Sequence, residues 1–397
     1  MPPTDHHPDD RTASSRPLPV QRELFDIPDD VAYFNCAGLA PQLRASAEAG
    51  LAALGRRARP WTITSDDWFT EAEERRALFA RLAGVDPDGV ALVPATSYGL
   101  AVAAANLTAG QGQRVLVLGD DYPSNRYTWQ RFAGRTGASL VTVERQAGQS
   151  WAEAVLGELD ERTAVVAVLA THWTDGGSVD LAAIGARARQ AGAALVVDAS
   201  QAVGAVPLDL EAIRPDYLVT VGYKWLLGPF ALGYLYVAEQ HRDGVPLEEN
   251  WISRLGSQDF GGLVDYQDSY QPGARRFDVG QRTHFETTSM ATAALRQLLD
   301  WEVPRIAATL GQVTGRIQRE VEALGLPLTT SDRDPHMLGI GLPDEARGAV
   351  AGAMAEAGVH AGVRGSSLRV SPHLWTTDQD VQRLVDALTT ATKGVAR

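Results

Sequence analysis

The chain has 397 residues, 45% of them hydrophobic, which suits one large core with an appended lobe or two domains. A net charge of −13 excludes nonspecific binding to nucleic acid or anionic membrane, because both need a basic surface. A single cysteine, Cys36, excludes intrachain disulfides and cysteine-rich metal sites. No apolar stretch reaches the roughly 18 residues of a membrane helix, and a cytoplasmic location fits best.

Residues 1–20 have no apolar core and do not resemble a secretory signal. They are expected to form a disordered tail in which His6 and His7 are solvated. Val31 to Phe34 predicts a short strand, and Pro41 opens a helix through about Arg57. Ser65 is the expected cap of a second helix, from Asp66 to a terminating Gly84. From there the pattern alternates. Strands are expected at Val90–Pro94, Arg114–Leu118, Ser139–Val143, Ala164–Ala170 and Ala193–Val197. Helices are expected at Tyr98–Leu107, Tyr127–Gly134, Ala152–Leu159 and Leu181–Ala191. Such alternation signals a mostly parallel sheet with crossover helices. Two further apolar runs, Tyr217–Val221 and Ala231–Val237, complete the large unit.

Residues 246–285 carry Gly, Arg, Asp and aromatics with little periodicity, including Trp251, Arg254, Tyr266, Tyr270, Arg275 and Arg276. They are expected to form a long functional loop that shapes the substrate pocket. A single long helix from about Met290 to Leu310 then leads into a smaller α/β lobe. That lobe ends in the strand Ser367–Val370 and a helix opened by Thr377, with Asp380 completing a capping-box pattern. The expected division is a tail (1–20), an N-terminal segment packing with the small lobe (21–60), a large domain (61–285) and a small domain (286–397).

Runs without apolar–polar alternation read as strands buried on both faces. Ligands of open α/β sheets gather at the carboxyl ends of such strands. Asp198 and Lys224 end two of them. Lys224, between Tyr223 and Trp225, can be partly desolvated, which favours its neutral nucleophilic form. A lysine and a buried carboxylate are what pyridoxal phosphate needs, one to hold its aldehyde as a Schiff base and one to face the ring nitrogen. Taken alone, the two residues fit a turn cap and a surface lysine equally well. Other strand ends add to them. Thr96 and Ser97 at a helix start can form a phosphate cup, although Thr and Ser are ordinary N-caps too. Tyr122 can lie on a cofactor ring or pack in its turn. His172 and Trp173 follow another strand, where a lone histidine is as readily structural. Gln201 can reach the cofactor's 3′-oxygen, and Tyr223 its phosphate. Five strand ends with residues suited to one cofactor are harder to explain structurally than any one of them.

The segment VVDASQAVGAVPLDL…PDYLVTVGYKWLLGPFALGYLYV closely resembles the class V aminotransferase family of fold-type I enzymes that use pyridoxal phosphate. YFNCAGLAP, YPSN, HWTDGGSVDLAAIG and LRVSPHLWTTDQDV extend the resemblance over nearly the whole chain after residue 20. Kynureninases, cysteine desulfurases, isopenicillin N epimerase-like proteins and C–S lyases share this family. The resemblance implies an α/β fold with a mostly parallel central sheet, flanking helices and a smaller C-terminal lobe, in a homodimer. It makes Lys224 the Schiff-base lysine, Asp198 the pyridinium partner and Tyr122 the stacking residue, with Gln201 near the 3′-oxygen. Thr96, Ser97 and Tyr223 would hold the phosphate, and His172 would take the place of a family asparagine that contacts ring or substrate. Arg369 would pair with a substrate α-carboxylate, a bidentate task suited to guanidinium, with Asn35 as a weaker candidate beside it.

Two departures stand out. Cysteine desulfurases need a nucleophilic cysteine before the strands of the small lobe, and none follows Cys36, which argues against persulfide chemistry. A Gly-Thr element, by which a neighbouring subunit reaches the phosphate, is replaced by Glu286-Thr287-Thr288-Ser289. The expected chemistry is exchange of an amino acid onto the cofactor and loss of its α-proton to Lys224. Transamination or β-elimination, including C–S bond cleavage in a cysteine conjugate, is the favoured outcome. Epimerisation, decarboxylation, a catalytically silent binding protein and a nucleotide-phosphate enzyme built on Thr96 and Ser97 are the alternatives.

Overall fold

The computed structural model describes residues 16–146 and 148–395. Most of the expected tail, with His6 and His7, therefore lies outside the described residues. Within it, Leu18 donates its amide to Thr309 Oγ1 at 2.7 Å, so the chain from there on is packed against the C-terminal half.

Strand β1 (Ala32–Tyr33) is followed by helices α1 (Arg44–Arg57) and α2 (Asp67–Ala83). Ser65 does not cap α2. The Asp67 carboxylate instead reaches back to the Thr64 amide and hydroxyl, at 2.7 and 3.0 Å. The large unit then runs β2 (Val90–Val93), α3 (Thr96–Asn106), β3 (Arg114–Leu118), α4 (Pro123–Thr136), β4 (Ser139–Val143), α5 (Trp151–Glu158), β5 (Thr163–Leu169), α6 (Leu181–Ala191) and β6 (Ala194–Asp198). It closes with a short α7 (Leu210–Ile213), β7 (Tyr217–Val221) and β8 (Gly233–Val237). Helix α4 starts four residues before the expected Tyr127 because Pro123 fits the first helical turn, where no N–H is needed.

The seven strands form one sheet in the order β2-β8-β7-β6-β5-β3-β4, parallel except for β8, which runs against both neighbours. Branched apolar residues make these strands because both faces are covered. Leu116, Val166, Val168, Leu195 and Val197 pack into one apolar layer, while their neighbours Val115, Val117, Val165, Ala167 and Val196 pack into the other. Period-two alternation thus feeds two cores instead of one core and solvent. Helix α3 lies so close to the sheet that a Cβ on Gly99 would stand 2.6 Å from Val219 Cγ2.

The expected single helix after residue 290 is two: α8 (Thr288–Trp301) and α9 (Val303–Ala323). Pro304 in the first turn of α9 cannot donate to the preceding turn, and Glu302 between them takes a left-handed φ of +64°. The small lobe adds β9 (Leu338–Gly341), α10 (Arg347–Glu356), β10 (Val359–His360), β11 (Gly362–Arg364), β12 (Ser367–Val370) and α11 (Asp378–Val395). Its antiparallel sheet has the order β11-β12-β9. Thr377 and Asp380 do form the capping box of α11, at 2.8 and 3.1 Å. Strand β1 pairs in parallel with β10, and the Cys36 amide donates to Ser371 O, so the N-terminal segment is stitched into this lobe.

Residues 246–285 are pinned at the opposite edge of the sheet. Asp278, fully buried, accepts from the Leu92 amide at 2.7 Å and pairs with Arg76 at 2.6 Å and Arg282 at 2.5 Å. Removing one partner of such a buried pair typically costs about 3–5 kcal/mol.

Candidate active site

Strands β2, β3, β5, β6 and β7 all end at one side of the sheet, and residues at or just past their ends line one cleft. Seven of the ten sequence-derived site residues line it: Thr96, Ser97, Tyr122, Asp198, Gln201, Tyr223 and Lys224. Trp173, named beside His172 at its strand end, lines it too, as do Thr171, Ser200 and Phe230, which had no assigned role.

Asp198 is the final residue of β6, level with Leu169 on one side and Val219 on the other. Its carboxylate accepts from the Ser200 amide at 2.9 Å. Burial pushes its pKa up, opposed by the Ser200 hydrogen bonds and by the charge of Lys224. Lys224 follows β7 on a tight loop that closes with Gly228 N–H on Gly222 O at 2.8 Å. Leu227 and Ala231 beside it hold left-handed φ values of +52° and +61°. Non-glycine residues in that region store of order 1–3 kcal/mol each, strain that clusters at functional sites. Lys224 is buried, and desolvation lowers its pKa to about 8, with Asp198 opposing and Arg369 and Arg364 reinforcing the shift. Its Nζ stands 5.5 Å from the Tyr122 ring centre and 5.8 Å from that of Tyr223.

At the start of α3, the Thr96 and Ser200 hydroxyls bond at 3.0 Å, next to Ser97. First-turn amides and paired hydroxyls of this kind suit a phosphate. Tyr122 stands edge-on to Trp173, with ring centres 5.5 Å apart. Gln201 lines the cleft while its amide ties two segments together. Its Nε2 donates to Ala37 O at 3.1 Å, and its Oε1 accepts from Trp225 Nε1 at 2.9 Å. The donor set therefore fits pyridoxal phosphate: hydroxyls at a helix start, a ring-sized aromatic wall, a buried carboxylate and a partly neutral lysine.

Arg369 and Asn35, from β12 and from the segment after β1, do not border the cleft itself but stand behind Trp173, which does. Arg369 is 1% exposed. Its Nη1 donates to Trp173 O at 2.8 Å, its Nη2 to Asn35 Oδ1 at 3.4 Å, and its Nε has no partner among the described residues. Burial, and then the charge of Arg364, lower its pKa to about 9. Its two-pronged donor geometry matches a carboxylate.

His172 is a correction. Its Nε2 bonds Gly119 O at 3.0 Å, its Nδ1 bonds Thr174 Oγ1 at 2.9 Å, and its ring stacks on Trp151 at 4.7 Å. Thr171 and Trp173 line the cleft, while the contacts of His172 hold its ring against Gly119, Thr174 and Trp151 outside it. Within one chain, Trp251, Arg254 and Tyr266 line a separate cleft, and no residue of 246–285 borders Lys224. Thr288 is fully buried and Ser289 donates to Ala49 O at 3.3 Å, so neither borders it either. Cys36, buried, has its thiol pKa pushed well up by desolvation and is no candidate nucleophile.

A sequence profile described as aminotransferase class-V matches residues 64–384. The chain is 27% identical over 323 residues to the uncharacterized aminotransferase YcbU of Bacillus subtilis (strain 168), covering 81% of this chain and 84% of that one. It is 26% identical over 353 residues to isopenicillin N epimerase of Streptomyces clavuligerus, covering 79% and 83%. Among solved structures, the cystine C–S lyase C-DES in complex with cysteine persulfide, its reaction product, superposes with a TM-score of 0.81 at 19% identity, over 91% of this chain and 98% of that one.

Proposed function

The chain belongs to the aminotransferase class V family of pyridoxal-phosphate enzymes, and from that premise we propose that it transaminates an α-amino acid through removal of the α-proton. Pyridoxal phosphate, when bound, supplies an electrophilic aldehyde for the substrate amine and a ring that accepts electron density from Cα. The chain's own residues do the rest. Arg369 receives the α-carboxylate in its two-pronged guanidinium, with Asn35 fixing the guanidinium's orientation. Lys224 takes the proton from Cα at Nζ and returns one, a task matched to a pKa of about 8. Asp198 would meet the ring nitrogen of the bound cofactor and Tyr122 would cover a ring face, while Thr96, Ser97 and Tyr223 would hold the phosphate and Gln201 would serve the 3′-oxygen.

The observation that carries this reading is the Asp198–Lys224 pair, buried together at the ends of adjacent strands in a cleft that also holds the Thr96–Ser200 hydroxyl pair. The likeness to YcbU supports transamination over the other outcomes. Two copies are proposed to pair, which would cover the exposed Trp61, Val264 and Tyr266. A cytoplasmic location is part of the proposal; separately, among the described residues no helix is long and apolar enough to cross a membrane.

The test is the visible absorption of the cofactor-loaded protein against a panel of amino acids and S-substituted cysteines. Loss of the yellow band with one equivalent of a 2-oxo acid supports transamination. A band that persists while pyruvate and ammonia accumulate assigns β-elimination instead. A band that no amino acid perturbs would overturn the proposal.

A further inference from the structure

Arg369 is not the only guanidinium against Trp173. Arg364 lies on β11, paired antiparallel with β12, and Gly362 faces Arg369 directly across the two strands. Residues two apart on a strand share a face, as do residues directly opposite. Arg364, Gly362 and Arg369 therefore point to the same side of this hairpin. Glycine at the middle position leaves that side open. A Cβ there would stand 3.3 Å from Arg364 Nη1 and 3.4 Å from Asn35 Oδ1. The two guanidiniums thus flank Asn35 with no side chain between them.

The same arginine reaches the cleft wall. Arg364 Cζ stands 5.8 Å from the ring centre of Trp173, whose indole lines the cleft and whose carbonyl accepts from Arg369. Arg364 donates to the neighbouring Val363 O, and neither arginine has a carboxylate within 4.0 Å among the described residues. Besides burial, both guanidiniums are close enough to lower the pKa of Lys224, which lines the cleft with Asp198. One carboxylate on the substrate would satisfy only Arg369.

Resting on the assignment of Arg369 to the α-carboxylate, we propose that Arg364 binds a second anionic group on the substrate. The substrate class is then the acidic α-amino acids, dicarboxylates or their sulfinate analogues. Trp173 would pack along the short chain between the two anions, and Gly362 would leave room for the distal one.

Two measurements test this. Calorimetric titration of the cofactor-loaded protein with succinate and propionate reads anion binding without any reaction. Succinate should bind roughly tenfold tighter or better, since a hydrogen-bonded charge pair is worth about 1.5–3 kcal/mol. Arg364→Gln should abolish that difference while leaving propionate binding unchanged, and Gly362→Ala should reduce it by crowding Arg364. In turnover, L-aspartate and L-glutamate should exceed L-alanine in kcat/KM for the wild type, and Arg364→Gln should erase that advantage. Equal affinity for succinate and propionate, or a loss in Arg364→Gln that is the same for neutral and acidic amino acids, would overturn the proposal. The failures separate: a dicarboxylate preference with no spectral response to any amino acid sinks the transaminase reading, whereas neutral amino acids reacting without that preference sink only the second anion site.

Discussion

The two ends of the site differ in how their charges are met. At the floor, Asp198 and Lys224 lie at the ends of adjacent parallel strands, are both buried, and ease one another's charge across more than 4.0 Å. Behind Trp173, Arg369 and Arg364 come from the small lobe and face no carboxylate among the described residues. A balanced pair belongs to a group that stays; unbalanced cations await a group that comes and goes. The cofactor end is thus built into one sheet, while the substrate end is assembled from three segments distant in sequence, around Asn35, Trp173 and Arg369.

The sharpest way to break the comparison is at the balanced end. Asp198→Asn should keep the fold and lower kcat by about 10²–10⁴, the range for losing a group that stabilises developing charge or moves a proton. Stopped-flow rates with saturating amino acid check this, and an unchanged rate would remove Asp198 from the site. At the unbalanced end, Arg369→Lys should act mainly on KM, raising it roughly 10- to 100-fold, because an ammonium cannot match the two-pronged contact. Steady-state kinetics that show a kcat defect with unchanged KM would contradict this. The smallest catalytic effect is expected at His172, which faces neither end. His172→Ala should leave kcat within about twofold and lower stability by about 1–3 kcal/mol, through two lost hydrogen bonds and the lost Trp151 stack. Chemical denaturation alongside kinetics separates the two.

The same contrast explains what could be read from the sequence. Unbroken branched runs such as Thr163–Leu169 and Tyr217–Val221 can only be strands covered on both faces, so the sheet and its chemically active edge were legible. Asp198 and Lys224 were legible because each ends such a run. The pairing of Asn35 with Arg369 was not, since nothing local joins residues 334 positions apart; the family resemblance alone supplied it. His172 was misplaced because β5 ends at Leu169 and the chain then turns through Trp173–Asp175, so a position just past a strand does not fix which side a residue faces. The single long helix failed for a similar reason. Pro304 marked the break, but the apolar periodicity on either side masked it.

Reductive trapping tests the central claim most directly. The protein is loaded with pyridoxal phosphate, reduced with borohydride, digested, and the modified peptide identified by mass spectrometry. The account predicts one phosphopyridoxyl group per chain, on Lys224, and its absence in Lys224→Ala. Modification of a different lysine, or none under conditions where the protein is folded, would contradict it.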